Sequence, residues 1–162
     1  MARGGAGAKA KGSSFEREMA LKLSELTGES FIRAPSSGAY IGGSNSVRKE
    51  VLHEGQIRSF KGDIIPGESY NRWNMECKSY KDFPFHMLLQ NKSISILDQW
   101  IEQLMEVADK DDINFLFMKF NRKGTYILYP KSLIDSKTGI TYKDVWNVDS
   151  LDNVSHLLAA KK

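Results

Sequence analysis

Phe60-Lys61-Gly62-Asp63-Ile64-Ile65 and Trp73-Asn74-Met75-Glu76-Cys77-Lys78 are two short apolar runs flanking a turn-rich joint, Pro66-Gly67 and Ser69-Tyr70-Asn71. Runs of that length bounded by Pro, Gly, Ser and Asn read as two neighbouring strands and a short connection. Side chains alternate along a strand, so Glu76 and Lys78 fall on one face and Met75 and Cys77 on the other. Asp63, expected on the adjacent strand, brings a second carboxylate beside them. Carboxylates held away from water are costly unless positive charge sits between them. A divalent metal together with a lysine would meet that need and can act on a phosphodiester, which points to metal-dependent nuclease chemistry.

Upstream of this pair, Ser13-Ser14-Phe15-Glu16 has the form of a capping box and predicts the start of a helix. Phe15, Met19, Leu23 and Leu26 recur along it at helical spacing, and Gly28 suits its end. Glu16 therefore has two readings, the acid of the box or a third carboxylate for the site. Met1 to Gly12 carry Gly, Ala, Arg3, Lys9 and Lys11 with nothing to bury, and read as a flexible basic arm. Phe31-Ile32-Arg33-Ala34 predicts a short strand ending at Pro35, and the Gly- and Ser-rich stretch from Ser36 to Ser46 follows. Arg33, Arg48, Lys49, His53, Arg58 and Lys61 could form a basic rim beside Asp63, or equally a solvated face.

Downstream, Asp82-Phe83-Pro84-Phe85-His86 turns the chain, in a context of packing rather than catalysis. A second box, Ser95-Ile96-Leu97-Asp98, opens a helix with Ile94, Leu97, Ile101, Leu104, Met105 and Ala108 along one stripe. Gln99 and Gln103 fall off that stripe and are expected to face solvent, and Asp109, Asp111 and Asp112 read as the exposed link out of the helix. Asn114 to Phe120 is nearly continuous in apolar residues, as a strand covered on both faces should be. Asn121-Arg122-Lys123-Gly124 and Thr125 to Tyr129 make the turn and return strand of a hairpin ending at Pro130. Tyr142 to Val148 reads as strand or loop, and Ser150, Leu151, Val154, Leu157 and Leu158 suggest a closing helix. The order predicts an α/β or α+β layer on a mixed sheet.

Bulk properties narrow the setting. A chain of 162 residues fits one domain, and its charge excess of +3 permits a polyanionic partner without demanding one. The single cysteine excludes an internal disulfide and a cysteine-rich zinc site. No apolar run approaches the ~18 residues of a membrane span, and the N-terminus lacks the apolar core of a signal peptide. A reducing, cytoplasmic setting is the default expectation.

An acid-x-Lys triplet is weak by itself, since about one arises by chance in a chain of average composition. Asp135-Ser136-Lys137 is such a case, in a turn-like context with no acid on a preceding strand. Asp63 with Glu76-Cys77-Lys78 differs by its setting and resembles the PD-(D/E)XK nuclease signature. Ser14-Phe15-Glu16-Arg17-Glu18, Phe31 to Gly38, and the run from Phe115 through Pro130 are similar to the Holliday-junction resolvase branch, archaeal-type and phage-encoded. The longer interval between Arg33 and Asp63 departs from the archaeal pattern and bears on the serine positions.

The resemblance implies a restriction-endonuclease-like core over about residues 13 to 130 of a single nuclease domain spanning 13–162, with 131–162 as a C-terminal extension. It implies that Asp63, Glu76 and the backbone carbonyl of Cys77, with Glu16, hold Mg²⁺, for which Mn²⁺ would substitute, and that Lys78 is catalytic. Arg17, Arg33 and Ser36 or Ser37 match substrate-contacting positions; Arg48, Lys49, Arg58 and Lys61 join them through the basic rim. The implied activity is resolution of branched, four-way DNA by a homodimer. A nuclease for flaps, ends or single strands, and a DNA-binding module without cleavage, are the alternatives.

Overall fold

A computed structural model describes residues 4–35 and 61–162. Met1 to Arg3, and Ser36, Ser37, Arg48, Lys49, His53 and Arg58 with the rest of their segment, lie outside the described residues. The first helix, α1, is Gly4–Thr27. It therefore starts well before the expected box at Ser13, and the basic arm is helical from Gly4 onward. Ala6, Ala8 and Ala10 with Lys9 and Lys11 are strong helix formers, and extending a formed helix is cheap. Ser13 sits inside the helix and caps nothing; its hydroxyl instead accepts from the Arg33 Nη2 at 3.1 Å. The helix ends as expected, with Gly28 at φ +76° donating to the Ser24 carbonyl at 2.9 Å.

Two short strands follow, β1 (Ile32–Arg33) and β2 (Ile64–Ile65), paired antiparallel with each other. Then come β3 (Trp73–Tyr80), a short helix α2 (Phe85–Leu89), and α3 (Ser95–Glu106). The remaining elements are β4 (Ile113–Phe120), β5 (Gly124–Pro130), β6 (Ile140–Tyr142), β7 (Trp146–Ser150) and α4 (Leu151–Leu158). The central sheet runs β3-β4-β5-β7-β6, with β3 parallel to β4 and the other pairs antiparallel. This is the mixed α+β layer of a restriction-endonuclease-like fold.

Alternation along the strands builds two cores. Met75, Cys77, Phe115, Phe117, Ile127 and Tyr129 pack on one face against Phe15, Met19 and Leu23 of α1 and Leu151, Val154 and Leu158 of α4. Leu116, Met118, Phe120 and Leu128 pack on the other against Leu97, Trp100 and Leu104 of α3. Trp100 completes the stripe of α3 where Met105 was expected; Met105 is exposed. The box at Ser95 makes no cap either, since Asp98 accepts instead from the Tyr142 hydroxyl at 2.6 Å and the Lys143 ammonium at 2.8 Å. Residues 131–162 are integral to the sheet, because β7 pairs with β5 and α4 packs on the α1 face. No helix among the described residues is long and apolar enough to cross a membrane.

Candidate active site

Asp63 does not lie on a strand beside β3. Only Ile64 and Ile65 are extended, and their partner is β1. Gly62 bends the chain at φ +77°, so it meets the free edge of β3 by crossing it. A Cβ on Gly62 would stand 2.6 Å from the Met75 carbonyl oxygen, so only glycine permits this approach. The Asp63 N–H donates to the Met75 carbonyl at 2.8 Å, its carbonyl accepts from the Ala34 N–H at 2.9 Å, and its Oδ2 accepts from the Cys77 N–H at 2.8 Å. A carboxylate ten positions before β3 is thereby brought to its edge by backbone hydrogen bonds. Gly62→Ala should lower the unfolding free energy by about 1–3 kcal/mol, from strained backbone and the collision with Met75. Urea titration reads this, and an unchanged midpoint would show that the close approach is dispensable.

Glu76 and Lys78 share the α3 face of β3, as alternation predicts, with Lys78 Nζ 4.0 Å from Glu76 Oε2. Both stand near Asp63 and line one open cleft of about 450 Å³, together with Glu16, Lys61, Gly62, Cys77 and Gln103. Burial pushes the Glu76 carboxyl up to about 8, and the Asp63 charge adds to it; Lys78 opposes both but does not cancel them. Burial likewise holds the Cys77 thiol well above its ordinary range, so the neutral thiol is no nucleophile and offers the site only its backbone. The Cys77 N–H already points to Asp63 across the free edge of β3. The N–H and C=O of a strand residue project to the same side, so the Cys77 carbonyl faces that edge too.

Glu16 reaches the cleft from α1 but is engaged by Arg33, whose Nε donates to Glu16 Oε1 at 2.8 Å. Its carboxyl is raised, by burial first and then by Asp63, with Arg33 pulling it down. Arg33 thus serves as the partner of Glu16 in this state, while Arg17 is exposed on α1. Lys61, expected on a solvated DNA-facing rim, is instead ion-paired with Asp109 and Asp112. Asp112 correspondingly is no solvated linker residue, because its side chain is fully buried.

The donor set suits a hard divalent cation. Two crowded carboxylates and a carbonyl oxygen converge in the cleft, and the raised Glu76 carboxyl records how unfavourable a second charge is there. Among the described residues no group of three His, Cys, Asp or Glu forms a full protein cage. Mg²⁺ asks for no such cage, since it binds through one or two carboxylates and keeps water and phosphate as its other ligands. Asp63, Glu76 and the Cys77 carbonyl fit that description.

Gln103 escaped sequence reasoning. Lys78 Nζ donates to its Oε1, so α3 holds the ammonium over the cleft. Its spacing from the buried stripe of α3 signals only exposure, and no local pattern marks it out. Gln103→Leu should reduce the chemical rate about tenfold while leaving DNA affinity unchanged, the loss of one orienting hydrogen bond; single-turnover cleavage measures it, and an unaltered rate would release Gln103 from this role. The second triplet, Asp135-Ser136-Lys137, is no part of the cleft lining; its Ser136 hydroxyl donates to Asp149 at 2.6 Å.

Residues 7–152 match the family described as phage putative PDDEXK endonuclease. No curated protein and no solved structure matches the chain.

Proposed function

We propose, from the premise that the chain belongs to the phage PDDEXK endonuclease family, that this nuclease is a Mg²⁺-dependent endodeoxyribonuclease that resolves four-way DNA junctions. The observation that carries the catalytic part is the convergence of Asp63, Glu76 and Lys78 in one open cleft. Asp63, Glu76 and the Cys77 carbonyl would hold the ion, with Mn²⁺ able to replace Mg²⁺. When bound, the ion supplies Lewis-acid polarisation of the scissile phosphate and a water of lowered pKa.

The protein's own share is positioning and charge. Lys78, steadied by Gln103 and Glu76, either orients the attacking water or neutralises charge growing on the phosphate. Glu16 and Arg33 sit at the α1 rim of the cleft, where exchange of the guanidinium onto a DNA phosphate would free the Glu16 carboxylate for the ion. Cleavage would leave a 5′-phosphate and a 3′-hydroxyl. Junctions are favoured among DNA substrates by the order of motifs around Glu16, Arg33, Asp63 and Lys78, and the two cuts a junction needs call for a two-fold dimer with two clefts. Arg17, Arg33, Arg48, Lys49 and Arg58 would contact phosphates with little sequence preference.

A synthetic four-way junction, linear duplex, flap and single strand, each with and without Mg²⁺, test this directly. The junction should be cut at least about tenfold faster than the others, in paired symmetric positions, and only with the metal. Preferential cutting of flaps or ends by a monomer would move the substrate to another branched or open DNA. Tight binding of all four without any cutting would leave a DNA-binding module in place of the enzyme.

A further inference from the structure

We propose that Lys61 is a positioning residue: its ion pair with Asp112 and Asp109 holds the Gly62-Asp63 bend against the edge of β3 and so sets where the Asp63 carboxylate lies. The inference deepens the nuclease reading and rests on it for the part played by Asp63.

The pair is built differently from a surface ion pair. The Lys61 side chain is 14% exposed and that of Asp112 is fully buried. Charges so placed persist only when matched, so the pair resists being pulled apart. Asp109, more than half exposed and 2.7 Å from Lys61 Nζ, adds a weaker arm. The anchor end is rigid, since Asp112 also accepts from the Asp109 N–H at 2.8 Å. The next residue, Ile113, donates to the Arg72 carbonyl at 2.8 Å and opens β4 opposite Trp73.

The other end is a chain that needs holding. Gly62 has no side chain to pack, and β2 is two residues long with β1 as its ladder partner. Lys61 stands immediately before Gly62, so its tether fixes the direction from which the chain enters the bend. The same Asp109–Asp112 turn leads out of α3, which carries Gln103 and through it Lys78. One clamp therefore refers both halves of the cleft, the Asp63 carboxylate and the Lys78 ammonium, to a common point. A lysine lining the cleft would otherwise read as a phosphate contact, and Asp112 would then compete with the DNA for it.

Amide hydrogen exchange and cleavage kinetics on the full-length protein separate the two roles. Lys61→Met and Asp112→Asn should each speed exchange of the Asp63 and Cys77 amides by about tenfold or more, with Ile127 and Leu128 of β5 unaffected. Both should slow single-turnover cleavage by about 100-fold, as a misplacement of about 1 Å would, while metal-free affinity for a four-way junction stays unchanged. Lys61→Arg, which keeps the charge, should restore amide protection and most of the rate. Unchanged protection at Asp63 and Cys77 overturns the proposal, and so does an Asp112→Asn variant that binds DNA more tightly and still cuts. Loss of protection throughout, β5 included, also overturns it, by assigning the pair to global folding. A wild-type protein that cuts no DNA would sink the nuclease reading alone, because amide exchange still decides whether the clamp holds the bend.

Discussion

Asp63→Asn is expected to lower Mg²⁺-dependent cleavage by about 10³-fold, the equivalent of about 4 kcal/mol of transition-state stabilisation withdrawn with the metal's anionic ligand. The substitution keeps the side-chain volume and a carbonyl oxygen able to accept from the Cys77 N–H, so the bend and the edge of β3 should survive it. Affinity for DNA should hold or rise slightly, because one negative charge leaves the cleft. Glu76→Ala should match the kinetic loss. Lys78→Met should cost about 10² to 10³-fold with metal affinity retained, since it removes charge from the phosphate side rather than from the ion's shell. Single-turnover rates across a Mg²⁺ titration separate these cases, and equal rates for wild type and the Asp63 and Glu76 variants would refute the site.

Stability should respond to pH in the opposite sense to that of an ordinary salt-bridged carboxylate. Glu76 has its folded-state value raised from 4.5 to about 8, chiefly by burial and next by the Asp63 charge. Between those limits the folded protein holds a proton that the unfolded chain has released, so stability must fall as pH rises. At about 1.4 kcal/mol for each pH unit, the loss without metal between about pH 4.5 and 8 has an upper bound of about 4 kcal/mol. Glu16, also raised by burial and by Asp63, contributes with the same sign. Glu76→Gln should flatten the profile and leave the metal-free protein more stable than wild type at pH 8, at the expense of cleavage. Mg²⁺ should restore wild-type stability most strongly at high pH, by binding the folded form alone. Denaturant titrations in chelator and in Mg²⁺, at several pH values, give the measurement. A profile shared by wild type and Glu76→Gln would show that the carboxylates are not forced together.

Several features of the fold and cleft were legible because neighbours in sequence dictate them. The nearly continuous apolar run from Asn114 to Phe120 reads as a strand covered on both sides, and β4 is that strand. Glu76 and Lys78 had to share a face once Trp73 to Lys78 was extended. Gly28 stopped α1 because a left-handed residue was needed there. The box at Ser13 misplaced the start of α1 while the one at Ser95 marked the start of α3, yet neither makes its cap bonds, because each acid is engaged by a distant partner. Glu16 is taken by Arg33 and Asp98 by Tyr142 and Lys143.

By itself, then, the sequence determined the layered α+β class and the strand that carries Glu76 and Lys78 on one face, because periodicity and residue chemistry act within a few positions. Tertiary structure alone decided that Asp63 reaches the cleft by a glycine bend across the edge of β3. It alone decided that Gln103 steadies Lys78 and that Lys61 is engaged by Asp112. Those arrangements join residues far apart along the chain. Only the packing of α3 on the sheet, and of the bend on β3, determines which polar atoms come within reach of one another.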